Sequence, residues 1–354
     1  MKKAGIIIVN YKDYAQKFLA ECRDSLRPQS YPKDLIKVYI VDNASTEDTV
    51  KFISDNYSEA CVIPRDNGNY AAANNAGIKK AVEDGCELLV IANMDVKFDN
   101  DWLSELVKAV EHKPLIGIAQ SKILLYPKKA SEAARINSLG NISHFLGFGF
   151  TSNYNEPDRE IIGYPEIKGY ASGCSLIIKK EVIEKIGGYI EEFYMYHDDM
   201  EMSLKARLAG YKIVLAPKSV VFHKYEFKRS VRMLYYMERN RYLVVLMFYR
   251  PLTILLILPA MLAMDLGMLL YSIPGGWLKT KISVYKYFIK PKHWRAIFRE
   301  RKKIKTLRKL GDRKLLKDFQ GRVLFQEIEN PILKHIANPA FNLYWKLVKK
   351  IIIW

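Results

Sequence analysis

Between Ala4 and Asp95 the chain repeats one pattern, a short β-rich apolar run that stops abruptly at Asn or Asp and is followed by helical spacing. Ala4 to Val9 ends in Asn10 and Tyr11, and a helix is expected from about Tyr14 to Leu26. Lys37 to Val41 ends in Asp42-Asn43-Ala44-Ser45-Thr46, a run of turn and helix-cap residues, before a helix over Thr49 to Asn56. Cys61 to Pro64 reads as a third strand, Asn67-Gly68-Asn69 as a turn, and Ala71 to Asp84 as an Ala-rich helix. Leu88 to Ala92 is a fourth strand, closed by Asn93 and Asp95. Strands alternating with helices imply an α/β fold with a mostly parallel sheet flanked by helices, which binds ligands outside the carboxyl ends of its strands.

Asn10, Asp42, Asn67, Asn93 and Asp95 follow four different strands at those ends. Any one of them is explained by turn formation; five in corresponding places point to a shared crevice. No glycine-rich dinucleotide fingerprint and no Gly-Lys-Ser/Thr phosphate loop is present, so a nicotinamide dehydrogenase or ordinary ATPase has no support. An activated sugar nucleotide fits better. It needs base and ribose contacts from the early strands and an acid able to hold a divalent cation against the diphosphate. A sugar nucleotidyltransferase would call for a glycine-rich basic loop at the start, which GIIIVNYKD lacks.

With 354 residues the chain exceeds a single core and suggests two or three folding units; 49% hydrophobic residues suffice to build them. Cys22, Cys61, Cys86 and Cys174 have neither zinc-site pairing nor the density of a disulfide scaffold, so core positions in a reducing compartment are expected. The net charge of +18 is unevenly placed. Residues 1–223 hold 28 basic and 30 acidic side chains, whereas residues 276–354 hold 21 and 5. A nucleic-acid reader usually spreads positive charge over its folded reading module, so nucleic acid is not the expected partner.

Leu252 to Ile273 has 22 residues and one charge, Asp265. A bilayer core of about 30 Å needs about 20 apolar helical residues, so the stretch is long enough to cross. Pro259, Gly267 and Asp265 count against a simple span. A span, a broken or in-plane pair of helices and a buried core helix all remain open. Arg239, Arg241 and Arg250 before it and the Lys/Arg-rich tail after it suit an anionic leaflet. In the tail, Tyr285 to Phe298 and Leu307 to Phe325 have helical apolar spacing, including Leu315, Leu316, Phe319, Val323 and Leu324. Such helices can lie in a membrane interface; Arg299 to Lys305 reads equally well as a solvated helix face. The start of the chain has no long apolar segment of signal-peptide type, so the first domain is expected on the cytoplasmic side.

The segments Val9 to Lys12 (VNYK), Val41 to Thr46 (VDNAST), Asp66 to Gly77 (DNGNYAAANNAG), Asn93 to Val96 (NMDV) and Met195 to Tyr211 resemble family 2 glycosyltransferases. Within that family the set is most similar to the rhamnosyltransferase-like branch, in order over roughly residues 4 to 241. The resemblance implies a GT-A fold, a nucleoside-diphosphate-sugar donor, a divalent metal, Mg²⁺ or Mn²⁺, and inversion at the anomeric carbon. By the same resemblance Asp42 bonds the donor base, with Asn10 and the Val9 backbone lining that pocket, and Asn67, Gly68 and Asn74 lie along the nucleotide. Asn93 and Asp95 match the metal-binding Asp-x-Asp position, of which Asp95 keeps the acid; Met94 departs from the branch's usual Pro.

Gly169 to Cys174, with Ser172 and Gly173, resembles the loop that closes over the donor sugar. Gly187-Gly188-Tyr189-Ile190-Glu191 departs from the branch's Gly-Gly-Phe-Asp-Glu at Ile190. An acceptor hydroxyl needs a carboxylate to take its proton. Asp198 and Asp199 stand side by side at an expected helix start, with Glu201 two positions on, and their repulsion should raise one pKa. The resemblance makes Asp199 the catalytic base, with Asp198 second; acids favoured by a helix N-terminus are the alternative. His223 resembles the terminal His that reaches metal or diphosphate, and Arg239 and Arg241 resemble a basic motif that contacts diphosphate or anchors a helix at an interface.

The expected organisation is a catalytic domain over 1–235, an apolar membrane-inserted or re-entrant segment over 236–275 and a basic interfacial tail over 276–354. The expected activity is transfer of a sugar, L-rhamnose as the single best choice or another such as a UDP-hexose, to a polyprenyl-diphosphate-linked saccharide at the cytoplasmic face of the membrane. A noncatalytic membrane scaffold would account for the tail but leave the Asn and Asp motifs unexplained.

Overall fold

The computed structural model describes residues 1–127, 129, 131–225, 234–324 and 331–354. They fall into two compact units: Met1–Asn141 with Thr151–Ala206 and Tyr211–Tyr225, and Ile142–Phe150 with Arg207–Gly210 and the described residues beyond 226.

The first unit opens with three strand–helix repeats and a fourth strand: β1 (Ala4–Tyr11), α1 (Tyr14–Leu26), β2 (Ile36–Asn43), α2 (Glu47–Asn56), β3 (Cys61–Arg65), α3 (Tyr70–Glu83) and β4 (Leu88–Ala92). Local chemistry starts each helix. Asn10 Oδ1 accepts from the Ala15 amide at the start of α1, Thr46 and Thr49 form a reciprocal cap on α2, and Asn69 caps α3 through the Ala72 amide. Gly77 lets α3 lie close on β1, since a Cβ there would come within 2.4 Å of Ile7 Cγ2.

The chain continues through β5 (Val96–Phe98), α4 (Trp102–Glu111), β6 (Ile116–Leu125), β7 (Ile136–Ser138), β8 (Asn141–Ser143), β9 (Gly149–Thr151), β10 (Ser175–Lys179), α5 (Lys180–Ile186), α6 (Asp198–Leu208) and β11 (Lys212–His223). The main sheet has the order β3-β2-β1-β4-β10-β6-β11-β5, with β7 paired to β6. Strands β1 to β4 are mutually parallel, β10 is antiparallel to both β4 and β6, and β11 is parallel to β6. Two reversals cancel, so β6 and β11 run in the same sense as β1 to β4. The carboxyl ends of β1, β2, β3, β4 and β11, and the amino end of β10, therefore share one edge. Central strands such as β4 and β10 are buried throughout, as expected with helices on both faces, and Ile6, Ile8, Ile40 and Val90 pack with Leu19, Trp102 and Leu106. Cys22, Cys86 and Cys174 are buried and all four cysteines are free thiols.

The second unit is helical: α7 (Leu234–Phe248), α8 (Pro251–Ser272), α9 (Leu278–Ile289), α10 (Pro291–Leu307), the short α11 (Asp312–Leu315) and α12 (Asn338–Ile351). The apolar stretch is one helix with Pro259 inside it, not a broken pair. Among the described residues α8 is the one helix long and apolar enough to cross a membrane.

The tail corrects two expectations. Tyr285 to Phe298 is not one helix, because Pro291 cannot continue α9 and holds Lys290 extended (ψ 119°). Leu307 to Phe325 is not a continuous helix: α11 covers four residues, Gly311 and Gly321 bracket a turn-rich segment, and Phe325 lies outside the described residues. Leu315, Leu316, Phe319 and Val323 are buried, so they build a core instead of facing a membrane. Trp345 donates to the Phe319 carbonyl at 2.7 Å and stacks on Phe145 at 4.8 Å. Nor is Arg299 to Lys305 a purely solvated face, since Glu300 and Ile304 are buried and Arg301 donates to the Leu246 carbonyl near the end of α7.

Candidate active site

The shared sheet edge gathers most of the sequence-predicted residues. Asn10 and Asp42 are register partners at the ends of β1 and β2. Both are buried, and Asp42 accepts from Asn10 Nδ2 at 2.7 Å, Ser45 Oγ at 2.6 Å and Thr49 Oγ1 at 2.5 Å. Its carboxylate thus ties the end of β1 to the turn and helix that follow β2. Val9 is buried beside Val41 in the same ladder. Asn67 is exposed and its Oδ1 accepts from the Asn69 amide at 3.1 Å, the turn that delivers the chain to α3. Gly68 sits between two aromatic rings: a Cβ there would be 2.8 Å from Tyr194 Oη and 3.0 Å from Tyr11 Cε2. Asn74 is buried in α3 and donates to the Tyr70 carbonyl.

One residue past β4, the Asn93 amide donates to the Cys174 carbonyl at 3.0 Å, which ties it to the loop entering β10. In that loop the Ser172 amide donates to Gln120 Oε1 at 2.7 Å, and the Gly173 amide donates to Asp199 Oδ2 at 3.3 Å. The loop expected to close over the donor sugar and the expected base are therefore adjacent. Tyr70 links this point to the strand ends by donating to Asn93 Oδ1 at 3.3 Å, and its pKa is raised by burial and by the nearby Asp198 charge.

Asp198 and Asp199 begin α6, and the chain reaches them through an unusual approach. Tyr194, Tyr196 and His197 have φ of 66°, 62° and 60°, in the left-handed region that bulky side chains rarely occupy. Tyr194 is the centre of a tight turn in which the Met195 amide donates to the Phe193 carbonyl at 2.8 Å. Such strain tends to collect at functional sites. The acids then separate by role. Glu201 is buried, pairs with Lys205 Nζ at 3.1 Å and accepts from the Ile190 amide at 2.8 Å. It braces the Gly187 to Glu191 loop, where the Ile190 side chain is itself buried. Burial pushes the Asp199 carboxyl up to about 6, against amide hydrogen bonds from Gly173 and Met200. Asp198 is raised well above the carboxylate range by burial and then by the Asp199 charge, the splitting that adjacent acids predict.

Asp95 and His223 meet next door. His223 ends β11 opposite Val96, and the Lys224 amide donates to the Asp95 carbonyl at 2.9 Å. The buried His223 Nε2 faces Asp95 Oδ2 at 3.6 Å, beyond hydrogen-bond reach, while Nδ1 is held by Asn137 Oδ1 at 2.9 Å. Burial alone would lower the His223 pKa; the neighbouring Cys174 and Asp95 outweigh it and push it up to about 10. The raised pKa marks a place that favours positive charge, and an imidazole that gives up its proton beside a carboxylate is a donor set that suits a divalent cation. Among the described residues there is no cluster of three or more acidic, His or Cys side chains able to hold a metal, so Asp95 and His223 are a two-residue donor set.

Arg239 and Arg241 lie on α7 in the second unit, both buried. Arg239 lies over the rings of Tyr236 and Tyr287. Arg241 is bound through Nε to Glu238 at 2.9 Å and through Nη2 to the Tyr242 hydroxyl at 2.7 Å, so most of its hydrogen-bonding capacity is used internally. Gln120, Asn137 and Tyr70 were not singled out from sequence. Gln120 carried a usable signal, a polar side chain inside the otherwise apolar run IGIAQ.

A family model described as Glycosyl transferase family 2 matches residues 5–187, just over half of the chain. The O-antigen biosynthesis protein RfbC of Myxococcus xanthus is 29% identical over 226 residues, covering 61% of this chain and 17% of that protein. A protein of Sinorhizobium fredii designated y4gI is 27% identical over 227 residues, 61% of this chain and 24% of that one. The N-acetylglucosaminyl-diphospho-decaprenol L-rhamnosyltransferase of Mycobacterium tuberculosis is 24% identical over 207 residues, 53% of this chain and 66% of that one. The chain thus spans less than two thirds of the length of each of these relatives. In fold it is similar to GalNAc-T7, solved with UDP, GalNAc and Mn²⁺, at a TM-score of 0.52 and 16% identity over 64% of this chain and 44% of that one. The chain belongs to glycosyl transferase family 2, with the GT-A-like sheet and rhamnosyltransferase-like relatives that its motifs led us to expect.

Proposed function

We propose that this chain is an inverting, metal-dependent glycosyltransferase that moves a sugar from a nucleoside diphosphate to a hydroxyl of a polyprenyl-diphosphate-linked saccharide. The observation that carries this reading is Asp199, a carboxyl raised to about 6 and held by the Gly173 amide at the edge where the strand-end Asn and Asp residues gather. A base of that strength is ionised at neutral pH yet able to take a proton.

Asn10, Asp42, Asn67, Gly68, Asn74 and Asn93 form the nucleotide side of the site, with Asp42 acting through the groups it orients. The Ser172-Gly173 loop positions the sugar. Asp199 takes the acceptor proton as the acceptor oxygen bonds to the anomeric carbon from the face opposite the diphosphate. The bond from that carbon to the diphosphate oxygen breaks, and the nucleoside diphosphate leaves with its electron pair. Asp198, whose protonated form is favoured by burial and by the Asp199 charge, can donate a hydrogen bond to substrate. Asp95 and His223 would hold the divalent cation, which supplies positive charge against the departing diphosphate. Within the second unit, Arg239 packs on aromatic rings and Arg241 serves mainly to pair Glu238.

L-rhamnose from dTDP-L-rhamnose is the proposed donor, supported by relatives whose names specify rhamnosyl transfer. The lipid-linked acceptor is supported by the decaprenyl diphosphate in one of those names and by the apolar α8 and basic second unit of this chain. The reaction belongs at the cytoplasmic membrane face. Purified full-length protein with Mn²⁺ should be screened by thermal shift against dTDP-, UDP- and GDP-sugars, then assayed with a polyprenyl-diphosphate saccharide. Stabilisation by dTDP-L-rhamnose and transfer from it support the proposal. Transfer from a UDP-hexose alone would replace the donor, and vesicle binding without handling of any nucleotide sugar would leave a scaffold.

A further inference from the structure

The membrane reading leaves open whether α8 crosses the bilayer, and the second unit contains the geometry to decide it. α8 is two-faced from Leu252 to about Met264, and its leucine edge continues to Leu270. Leu252, Leu255, Leu258, Leu262, Leu266 and Leu270 are exposed, at spacings of three and four residues that keep them on one side of the helix. Thr253, Ile257, Ala260, Met261 and Met264 are buried on the other. No charged side chain is on the exposed side, so a leucine edge of about 30 Å faces outward.

The buried side is fastened to polar helices at both ends. Near the start, the Tyr344 hydroxyl of α12 donates to the Leu256 carbonyl at 2.5 Å, and Trp354 Nε1 donates to Thr253 Oγ1 at 2.9 Å. Towards the end, Asp265 pairs with Lys281 of α9 at 2.6 Å and accepts from Tyr285 at 2.8 Å. Lys281 also pairs with Glu238 at 2.7 Å, and Glu238 with Arg241. A transmembrane α8 would carry these neighbours into hydrocarbon. α9 holds Lys279, Lys281 and Lys286, and α12 holds Lys346, Lys349 and Lys350, so neither can accompany it there. The alternative places the same residues where their chemistry fits. On α12 the exposed Leu343, Leu347 and Ile351 alternate with exposed Lys346 and Lys350, an apolar edge beside cations suited to lipid phosphates.

We propose that α8 lies in the plane of a single anionic leaflet, its leucine edge in the hydrocarbon boundary and α12 beside it, so that the protein is monotopic and both ends of α8 stay on the same side. The proposal rests on the membrane reading and sharpens it.

The test uses full-length protein with single cysteines carrying an environment-sensitive fluorophore at Leu255, Leu262, Leu266 and Leu270, bound to phosphatidylglycerol-containing vesicles. Depth is read with quencher lipids labelled at several acyl positions, and the unsubstituted chain gives the background from the native cysteines. In-plane insertion predicts one shallow depth, within about 5 to 10 Å of the headgroups, at all four positions. A span predicts about 22 Å between Leu255 and Leu270 along the membrane normal, with Leu262 near the middle. That gradient would overturn the proposal and leave the membrane reading intact. Failure of the protein to sediment with vesicles at all would overturn the membrane reading, and the proposal with it.

Discussion

The Gly173 amide donates to Asp199 Oδ2 at 3.3 Å, so a loop entering a strand and the first turn of a helix, 26 residues apart, meet at one carboxylate. An acid placed this way is oriented by the backbone before substrate arrives. It also couples the position of the Ser172-Gly173 loop, proposed to meet the sugar, to that of the proposed base.

Replacing Asp199 with Asn removes the proton acceptor and keeps the amide hydrogen bond. Transfer should fall at least ~100-fold, the low end of general-base effects. Because burial raises the folded pKa of Asp199, its charge opposes folding at neutral pH, so the variant should melt at the same or a higher temperature. Steady-state kinetics with a melting curve checks both, and full retained transfer would remove Asp199 from the role.

The pH profile follows from the same carboxyl. Only the ionised form accepts a proton, so the turnover rate should fall about tenfold per pH unit below about 6 and level off above it. Burial and the Asp199 charge both favour the protonated form of Asp198, so Asp198→Asn, which keeps a neutral side chain there, should leave that acid limb in place even if the rate drops. A limb displaced by more than one pH unit in that variant would show that the two acids titrate together.

Asn137 fixes the ring of His223 through Nδ1 and leaves Nε2 for the Asp95 side. Outer partners of this kind typically contribute 10- to 100-fold in metal affinity. Asn137→Ala should therefore weaken Mn²⁺ binding about tenfold or more in the presence of a nucleoside diphosphate, measured by electron paramagnetic resonance titration without turnover. Unchanged affinity would place the cation elsewhere.

Lys281 is buried between Glu238 and Asp265. Lys281→Met would leave two acids with one remaining buried cation, Arg241, and breaking a buried pair costs about 3–5 kcal/mol. Hydrogen exchange should accelerate in α7, α8 and α9 while β1 to β4 stay protected. Uniform protection in both units would show that this network contributes little to stability.

The strand–helix alternation was legible because each strand is short, apolar and ended by an Asx residue, and those endings have local physical causes. Tyr14 to Leu26 and Leu88 to Ala92 have the boundaries that periodicity gives them. The tail was harder to read. Leu315, Leu316, Phe319 and Val323 have the spacing of an amphipathic helix, but spacing does not say whether the apolar face meets lipid or protein. Gly311, Gly321 and Trp345 settled it in favour of a small core.

The sequence by itself determined the class of sheet, the edge at which the Asn and Asp residues gather and the acids available there, because turn chemistry and strand period are local properties. Only the tertiary structure separated Glu201 from Asp198 and Asp199, since burial and partners decide which acid pairs with Lys205 and which stays at a raised pKa. It likewise gave Asp265 its counter-ion and α8 its two faces. Both depend on helices distant in sequence, and hydropathy cannot record what packs against a helix.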